Sequence, residues 1–338
     1  MRPTWAQRAG TGKMPPMSLR FNILETLGDG HFHSGAELGR RLGVSRTAVW
    51  KHLQALGDLG LDIFAVTGKG YRLAHPLELL RENDIHAALR DDSRPLLAGL
   101  ELHAHLDSTN THLSRQAANL PSGYACLAEY QSTGKGRRGR TWVSPYAGSV
   151  YLSLLWRFTV SPTVLSGLGL VSGVAVARAL RQAGLHDIGL KWPNDVIWQG
   201  RKLAGTLLEM TGESYGPVNV VIGIGLNVRM SAAAGKQIDQ AWVDVETALG
   251  SSVSRNTLAG LLLHHLLLAL QDFQARGLAP FLREWQQWDI VTGKEVRLQL
   301  PHETLTGIAK GIDHNGALLL QSRGTINSYL AGEVSVRL

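Results

Sequence analysis

The chain has 338 residues, of which 44% are hydrophobic and 18% charged, enough apolar material for two or three globular domains and too much for a disordered polymer. A formal net charge of +7 points to an anionic partner without separating DNA from a phosphorylated ligand or an acidic protein. One cysteine excludes an intramolecular disulfide framework and a cysteine-rich zinc site, which suits a reducing cytoplasm, and no apolar run reaches the roughly 18 residues a spanning helix needs.

Residues 1–18 carry Arg2, Arg8 and Lys13 but no apolar signal core; they read as a disordered extension, with Met14 and Met17 as alternative starts. From Leu19 the apolar positions Phe21, Ile23, Leu24 and Leu27 fall at helical spacing and Gly28-Asp29-Gly30 stops them. Ser34 and Glu37 have capping-box spacing before a second helix that ends at Gly43. Ser45 can cap a third, in which Val49, Leu53 and Leu56 form the buried stripe while Arg46, Thr47, Trp50, Lys51 and Gln54 are left to face outward. Ile63 to Val66, the turn at Thr67 to Gly70, and Tyr71 to Leu73 read as a hairpin with Lys69 at its tip. Two short helices and a wing over 19–76 predict a winged helix-turn-helix that reads DNA with Ser34, Ser45, Arg46, Thr47, Trp50, Lys51, Gln54 and Lys69. A small packing domain with the same helices is the bland alternative.

His75-Pro76 breaks the hairpin, a linker over 77–98 contains one helix expected at 77–89, and a central domain is expected over 99–289. Its first polar cluster, Asp107-Ser108-Thr109-Asn110, suits an N-cap. Ala125 to Tyr130 reads as a strand in which Cys126 packs, running into Gln131 and the loop Gly134-Lys135-Gly136-Arg137-Arg138-Gly139-Arg140 before Trp142. Three glycines and four cations in seven residues free backbone N–H groups and positive charge for an anion. The spacing approaches a P-loop, but Arg140 stands where that motif needs Lys and a strand follows instead of a helix, so a P-loop NTPase is set aside. A buried helix at 165–180, strands at 188–190, 206–210 and 218–227, and the clusters Lys191 to Asp195 and Arg201 to Gly205 complete the domain.

In order, Gly-Lys-Gly-Arg-Arg-Gly-Arg-Thr-Trp at 134–142, Lys-Trp-Pro-Asn-Asp at 191–195, Arg-Lys-Leu-Ala-Gly at 201–205 and Gly-Ile-Gly-Leu-Asn at 223–227 resemble biotin–protein ligases. With the winged helix, everything from Leu19 onward resembles the bifunctional bacterial class that is also the biotin operon repressor. The resemblance implies an α+β multidomain chain: a winged helix-turn-helix, a mixed α/β ligase domain related to class II aminoacyl-tRNA synthetases, and an SH3-like small β-barrel at 290–338. It implies ATP, Mg2+ and biotin as ligands, and two steps, formation of biotinyl-5′-AMP and transfer to a lysine of the biotin carboxyl carrier protein, an acetyl-CoA carboxylase subunit. The same adenylate would be corepressor for a homodimer on operator DNA of biotin synthesis genes.

By that resemblance Ser108, Thr109, Asn110, Gln131, Gly134, Lys135, Gly136, Arg137, Lys202 and Gly205 would line the biotin site. Arg137, Arg138, Arg140, Trp142, Lys191, Asn194 and Asn227 would serve ATP or the adenylate, with Trp142 stacking on adenine. Lys202, Arg137 and Asp195 would be catalytic, Asp195 also by way of magnesium. Lys135 stands where the family commonly has Arg, keeping charge but losing the planar fork. Two other functions stay open: a biotin-sensing regulator that no longer ligates, and a lipoate or octanoate ligase on the related fold. Beyond the motifs, Leu258 to Phe273 and Phe281 to Trp288 read as helices, and Glu295 to Leu300, Thr304 to Ile312 and Ala317 to Gln321 as strands of the barrel, a structural cap or a direct ligand contact.

Overall fold

A computed structural model describes residues 16–57, 59, 61–159, 162–212, 217–300, 303–330 and 335–337. The extension read over 1–18 therefore lies, up to residue 15, outside the described residues. The chain divides into two compact units, Met1–Leu79 and Leu80–Leu338.

In the first unit α1 (Pro16–Leu27), α2 (Gly35–Leu42) and α3 (Arg46–Gly57) enclose Ile23, Leu24, Leu27, Leu38, Val49, Leu53 and Leu56, all buried. Ser34 Oγ accepts from the Glu37 N–H at 3.1 Å and Ser45 Oγ from the Ala48 N–H at 3.2 Å, so both serines cap as the spacing predicts. The reciprocal half of the capping box is replaced: the Glu37 carboxylate lies 3.4 Å from His33 Nδ1. Gly43 closes α2 in the left-handed region at φ 67°, a conformation a Cβ would oppose. The wing, β1 (Ile63–Val66) and β2 (Gly70–Leu73), pairs Ile63 with Leu73 and Val66 with Gly70. Val49, Leu53 and Leu56 point inward, which leaves Arg46, Thr47, Trp50, Lys51, Gln54 and the tip residue Lys69 exposed.

The second unit opens with a departure from expectation. The helix expected at 77–89 shrinks to α4 (Glu82–Ala87), because the preceding backbone is held extended by buried side chains: the Leu80 N–H donates to Glu129 Oε1 and the Arg81 N–H to Asn256 Oδ1. Glu129 is in turn clamped by Arg255, whose Nη2 lies 2.8 Å from Glu129 Oε2 with both side chains about 5% exposed or less.

Strand β3 (Gly99–His103), helix α5 (Thr109–Gln116), β4 (Tyr124–Ala128), β5 (Ser149–Phe158), α6 (Leu168–Gln182), β6 (Ile188–Lys191), β7 (Asp195–Trp198), β8 (Arg201–Gly212) and β9 (Val218–Asn227) follow. They form a seven-stranded sheet in the order β3-β4-β5-β9-β8-β7-β6, parallel only between β3 and β4. Short helices α7 (Ala232–Gly235) and α8 (Val245–Leu249) precede the long α9 (Arg255–Arg276) and α10 (Ala279–Trp288). The two-residue strand period sorts the sheet faces. Leu152, Leu154, Val220, Ile222, Ile224 and Leu226 join the core beneath α6 and α9, whereas Leu155 and Val221 pack with Leu113 of α5 and its C-cap Ala117 on the opposite face.

The last segment is an antiparallel sheet of β10 (Glu295–Gln299), β11 (Thr304–Ile312), β12 (Leu318–Ser322), β13 (Thr325–Tyr329) and β14 (Ser335–Arg337), ordered β13-β12-β11-β10-β14. It is anchored to the larger domain where Trp192 Nε1 donates to Gly316 O at 3.0 Å and Ser166 Oγ to Asn315 O at 3.0 Å. No helix among the described residues is long and apolar enough to cross a membrane.

Candidate active site

The motif Gly223-Ile-Gly-Leu-Asn227 is a strand whose alternate residues serve two purposes. Ile224 and Leu226 point into the core, so Gly223, Gly225 and Asn227 share the other face, the α5 face. Register places Gly225 opposite Gly205 of β8 and Tyr151 of β5, and Gly223 opposite Leu207 and Ser153. Tyr151, Gly205, Leu207, Gly223, Gly225 and Asn227 floor a cavity of about 490 Å3, and the absent side chains of the glycines are what open it. A Cβ added to Gly225 would meet Trp142 Cε2 at 2.5 Å, and one on Gly205 would stand 3.3 Å from Trp142 Cζ3. The indole therefore lies across a glycine pair that only glycine permits. Its Nε1 is buried without a hydrogen-bond partner, and the Lys202 ammonium sits 5.4 Å from its ring centroid.

One end of the cavity is neutral and polar. Ser108 caps α5, and the next two residues turn inward: Gln131 Oε1 accepts from the Thr109 N–H at 2.9 Å and lies 3.1 Å from its hydroxyl, while Gln131 Nε2 donates to Ser144 Oγ at 3.2 Å. Ser153 Oγ lies 2.6 Å from Asn110 Oδ1 and 2.7 Å from Thr109 Oγ1. All of these side chains are buried, in a fixed chain of alternating donors and acceptors.

The other end is cationic. The glycine-rich loop folds back on itself, with the Gly136 N–H donating to Arg140 O at 2.7 Å and the Trp142 N–H to Gly134 O at 2.8 Å. Its tip is a single 3-10 turn in which Arg138, at φ 58°, and Gly139, at φ 70°, both adopt left-handed backbone. Arg137 reaches inward, donating from Nη1 to Asn194 Oδ1 at 3.2 Å. Burial holds its guanidinium below its ordinary value, Asp195 pulls the other way, and Arg140 and Arg138 repel it; it remains a cation. Lys135 Nζ pairs with Glu209 Oε1 at 3.1 Å. Lys202 Nζ lies 2.7 Å from Asp195 Oδ1. That pair is positioned by the β6–β7 hairpin, whose turn holds the cis Trp192–Pro193 bond, and by the start of β8, pinned to Ala241 and Val243 through both backbone groups of Lys202. Asn194 amide also donates to Thr206 O, locking the hairpin to β8.

Of the residues singled out from the sequence, Ser108, Thr109, Asn110, Gln131, Lys135, Gly136, Arg137, Arg138, Arg140, Trp142, Asn194, Asp195, Lys202, Gly205 and Asn227 line this one cavity. Gly134 and Lys191 do not. Gly134 stands behind the wall, where a Cβ would strike Trp142 O and Ser144 Oγ, and Lys191 ends β6 outside the lining. Asn227 donates to Val243 O at 3.1 Å, a structural bond on the cavity rim. Sequence reading missed Trp192, Thr206, the segment Gln237 to Gln240, Trp242 and Val336 in the lining, and Ser144 and Ser153 behind it, which hold Gln131 and Asn110. Period-two spacing from Gly225 to Gly223 could have found their strand neighbours. Nothing in the local composition marks Gln237 to Gln240 or Val336.

Residues 20–72 match an HTH domain, residues 102–227 the biotin/lipoate A/B protein ligase family, and residues 291–337 the biotin protein ligase C terminal domain. The bifunctional ligase/repressor BirA of Escherichia coli is 41% identical over 96% of this chain and 99% of its own length. Its counterpart in Bacillus subtilis is 30% identical over 94% of this chain and 99% of its own length. The biotin protein ligase of Aquifex aeolicus, solved in complex with biotin and ATP, superposes with a TM-score of 0.62 at 29% identity, covering 71% of this chain and 99% of that one. The chain belongs to the family of bifunctional biotin ligase/repressors.

Proposed function

We propose that the protein is an ATP-dependent biotin–protein ligase that forms biotinyl-5′-AMP, transfers biotin to a lysine of a biotin carboxyl carrier protein, and represses biotin synthesis genes with that adenylate as corepressor. The observation that carries this reading is one cavity with a neutral hydrogen-bonding end at Thr109, Asn110 and Gln131 and a cationic end at Arg137, Arg140 and Lys202. A ureido ring needs the first and a carboxylate meeting a triphosphate needs the second.

In the first step a biotin carboxylate oxygen attacks the α-phosphorus of ATP, the bond from that phosphorus to the β-phosphate oxygen breaks, and pyrophosphate leaves with the electron pair. Attacker and target are both anionic, so Lys202, Arg137 and the loop arginines hold them together and stabilise charge growing at phosphorus. In the second step the carrier lysine amine attacks the acyl carbon, AMP departs, and the amine loses a proton. Asp195, already beside Lys202, orients that amine. No protein nucleophile takes part.

The wall offers few carboxylates, among them Asp195, paired with Lys202, and Asp239, a sparse oxygen-donor set that suits Mg2+ carried mainly on phosphate and water oxygens. When bound, that ion would be held by Asp195 and would screen the phosphates. We further read Trp142 as the adenine platform, the loop at 134–140 as a lid ordered by ligand, and the adenylate-bound form as the DNA-binding homodimer.

The test is isotope exchange. Purified protein should move labelled pyrophosphate into ATP only when biotin is present; exchange driven by lipoate would select a lipoate ligase, and no exchange would leave only a regulator that senses biotin.

A further inference from the structure

Outside the cavity, four side chains with metal-ligating atoms converge between the edge strand β3 and α5. Parallel register sets Glu101 beside Cys126 of β4, and the strand period puts His103 on the same face as Glu101. Helix α5 crosses that face and lowers His112 onto them. His112 Nε2 lies 2.8 Å from Glu101 Oε1 and His103 Nε2 lies 3.3 Å from Glu101 Oε2, while the two imidazoles meet edge-on with centroids 4.7 Å apart. One ligand atom from each of the four residues lies within 4.8 Å of all the others.

Glu101 Oε1 and His103 Nε2 are both buried, and neither makes an aligned hydrogen bond. Buried polar atoms normally find partners; here the nearest are one another, His112 Nε2 against Glu101 Oε1 and His103 Nε2 against Glu101 Oε2, contacts that are ion pairs only when the imidazoles are protonated and that a shared cation would replace. The surroundings are graded in the way an entry path requires: Glu101, His103 and His112 are partly exposed, and Cys126 is the buried innermost member.

We propose that Glu101, His103, His112 and Cys126 form a binding site for a thiophilic divalent transition ion of the Zn2+ type. Two imidazoles, a thiolate and a carboxylate make a four-coordinate set that suits Zn2+ and does not suit Mg2+, which takes oxygen ligands. Metal–ligand bonds of about 2.0–2.3 Å draw tetrahedral ligands to within roughly 3.3–3.8 Å of one another, a contraction of about 1 Å that side-chain rotation supplies. The Gln116 amide, 2.8 Å from His112 Nε2, swings aside to free that nitrogen. Cys126 releases its thiol proton to solvent as the sulfur–metal bond forms, and no electron moves. The ion ties the edge strand to α5, the helix whose first turn carries Thr109 and Asn110 into the cavity, so occupancy stiffens the neutral end of the site.

The test titrates the full chain, stripped with chelator, with Co2+ as the spectroscopic substitute. Because Cys126 is the only cysteine in the sequence, a thiolate-to-cobalt charge-transfer band reports on this site alone, whatever the other histidines bind. We expect the band to saturate at a single equivalent, to be bleached by Zn2+, to vanish in Cys126→Ser, and to require about tenfold or more Co2+ in His103→Ala. The half-exposed His103 makes the decisive variant, since its removal leaves the core intact. Absence of a thiolate band in the wild type, or an unchanged titration in His103→Ala, overturns the proposal.

Discussion

Replacing Lys202 by methionine separates what this residue does for the fold from what it does for the reaction. The ammonium lies 2.7 Å from Asp195 Oδ1 with side-chain exposures of 16% and 20%. At an effective dielectric of about 20 that separation corresponds to roughly 6 kcal/mol of gross attraction, most of it offset by desolvation of the two groups. The methionine keeps the aliphatic stem but strands the Asp195 carboxylate, so stability should fall by about 2–3 kcal/mol, at or just below the lower limit for a fully buried pair losing one partner, because both groups are partly solvated. Activity should fall further, by about 100-fold or more in the rate of adenylate formation, because a cation facing the reacting carboxylate is lost. The double variant Lys202→Met/Asp195→Asn removes the stranded charge and should regain most of the stability while gaining nothing in rate. Urea unfolding midpoints and single-turnover pyrophosphate release measure the two quantities independently. A double variant that recovered the wild-type rate would refute a chemical role for Lys202 and leave it a structural partner of Asp195.

Gly225→Ala should raise the KM for ATP well above that for biotin, because the new methyl forces the Trp142 indole off its glycine floor; equal changes in both constants would contradict the assignment of that wall to the nucleotide. Glu129→Gln should lower the unfolding free energy by about 3 kcal/mol, since the Arg255 guanidinium is left buried with its main counter-charge gone, and an unchanged urea midpoint would refute it. Lys69→Ala should weaken DNA binding evenly across sequences and shallow the salt dependence by about one counterion, as measured by filter binding at several salt concentrations. Burial first, then His264 and the nearby Arg178 and Arg90, hold His265 down at about 4, with Asp92 opposing. The unfolded chain thus takes up a proton near 6.5 that the folded chain refuses until about 4, so stability is full above 6.5 and declines as pH falls between those values. His265→Gln should flatten that decline in thermal melts.

How much of this was legible beforehand differs by element, for physical reasons. The winged helix was readable because caps, stripe and turn are all local: Ser34, Ser45, Gly43 and the hairpin turn each determine their own neighbourhood. Strand β9 was readable end to end as an apolar run broken by glycines. The linker helix was overestimated because Leu80 and Arg81 obey distant partners, Glu129 and Asn256, that no local pattern shows. Strand β7 was missed since Lys191 to Asp195 reads as a polar cluster, whereas the fold makes it the turn of a hairpin. Strands β13 and β14 were missed as well; β13 is largely exposed, so it lacks the alternation that burial imposes.

At the cavity, the cations and glycines stood out because charge and the absence of a side chain are visible in a sequence. The neutral end stood out only in part: Thr109, Asn110 and Gln131 were named, but Ser144 and Ser153 are ordinary loop and strand serines until Gln131 and Asn110 are folded against them. Lys191 stood out for its charge and sits off the lining, which shows that membership of a motif does not decide where a side chain ends up. The Glu101, His103, His112 and Cys126 cluster was invisible for the same reason in reverse: two strands and a helix separate its members, and only the parallel register joins them.

The most direct measurement of the central claim is the mass of an apo carrier domain after incubation with this protein, ATP, magnesium and biotin. The carrier should gain one biotinyl group on its acceptor lysine, with the gain abolished when that lysine is replaced and slowed in Arg137→Ala. A carrier whose mass is unchanged, while the protein still binds biotin, would contradict the account.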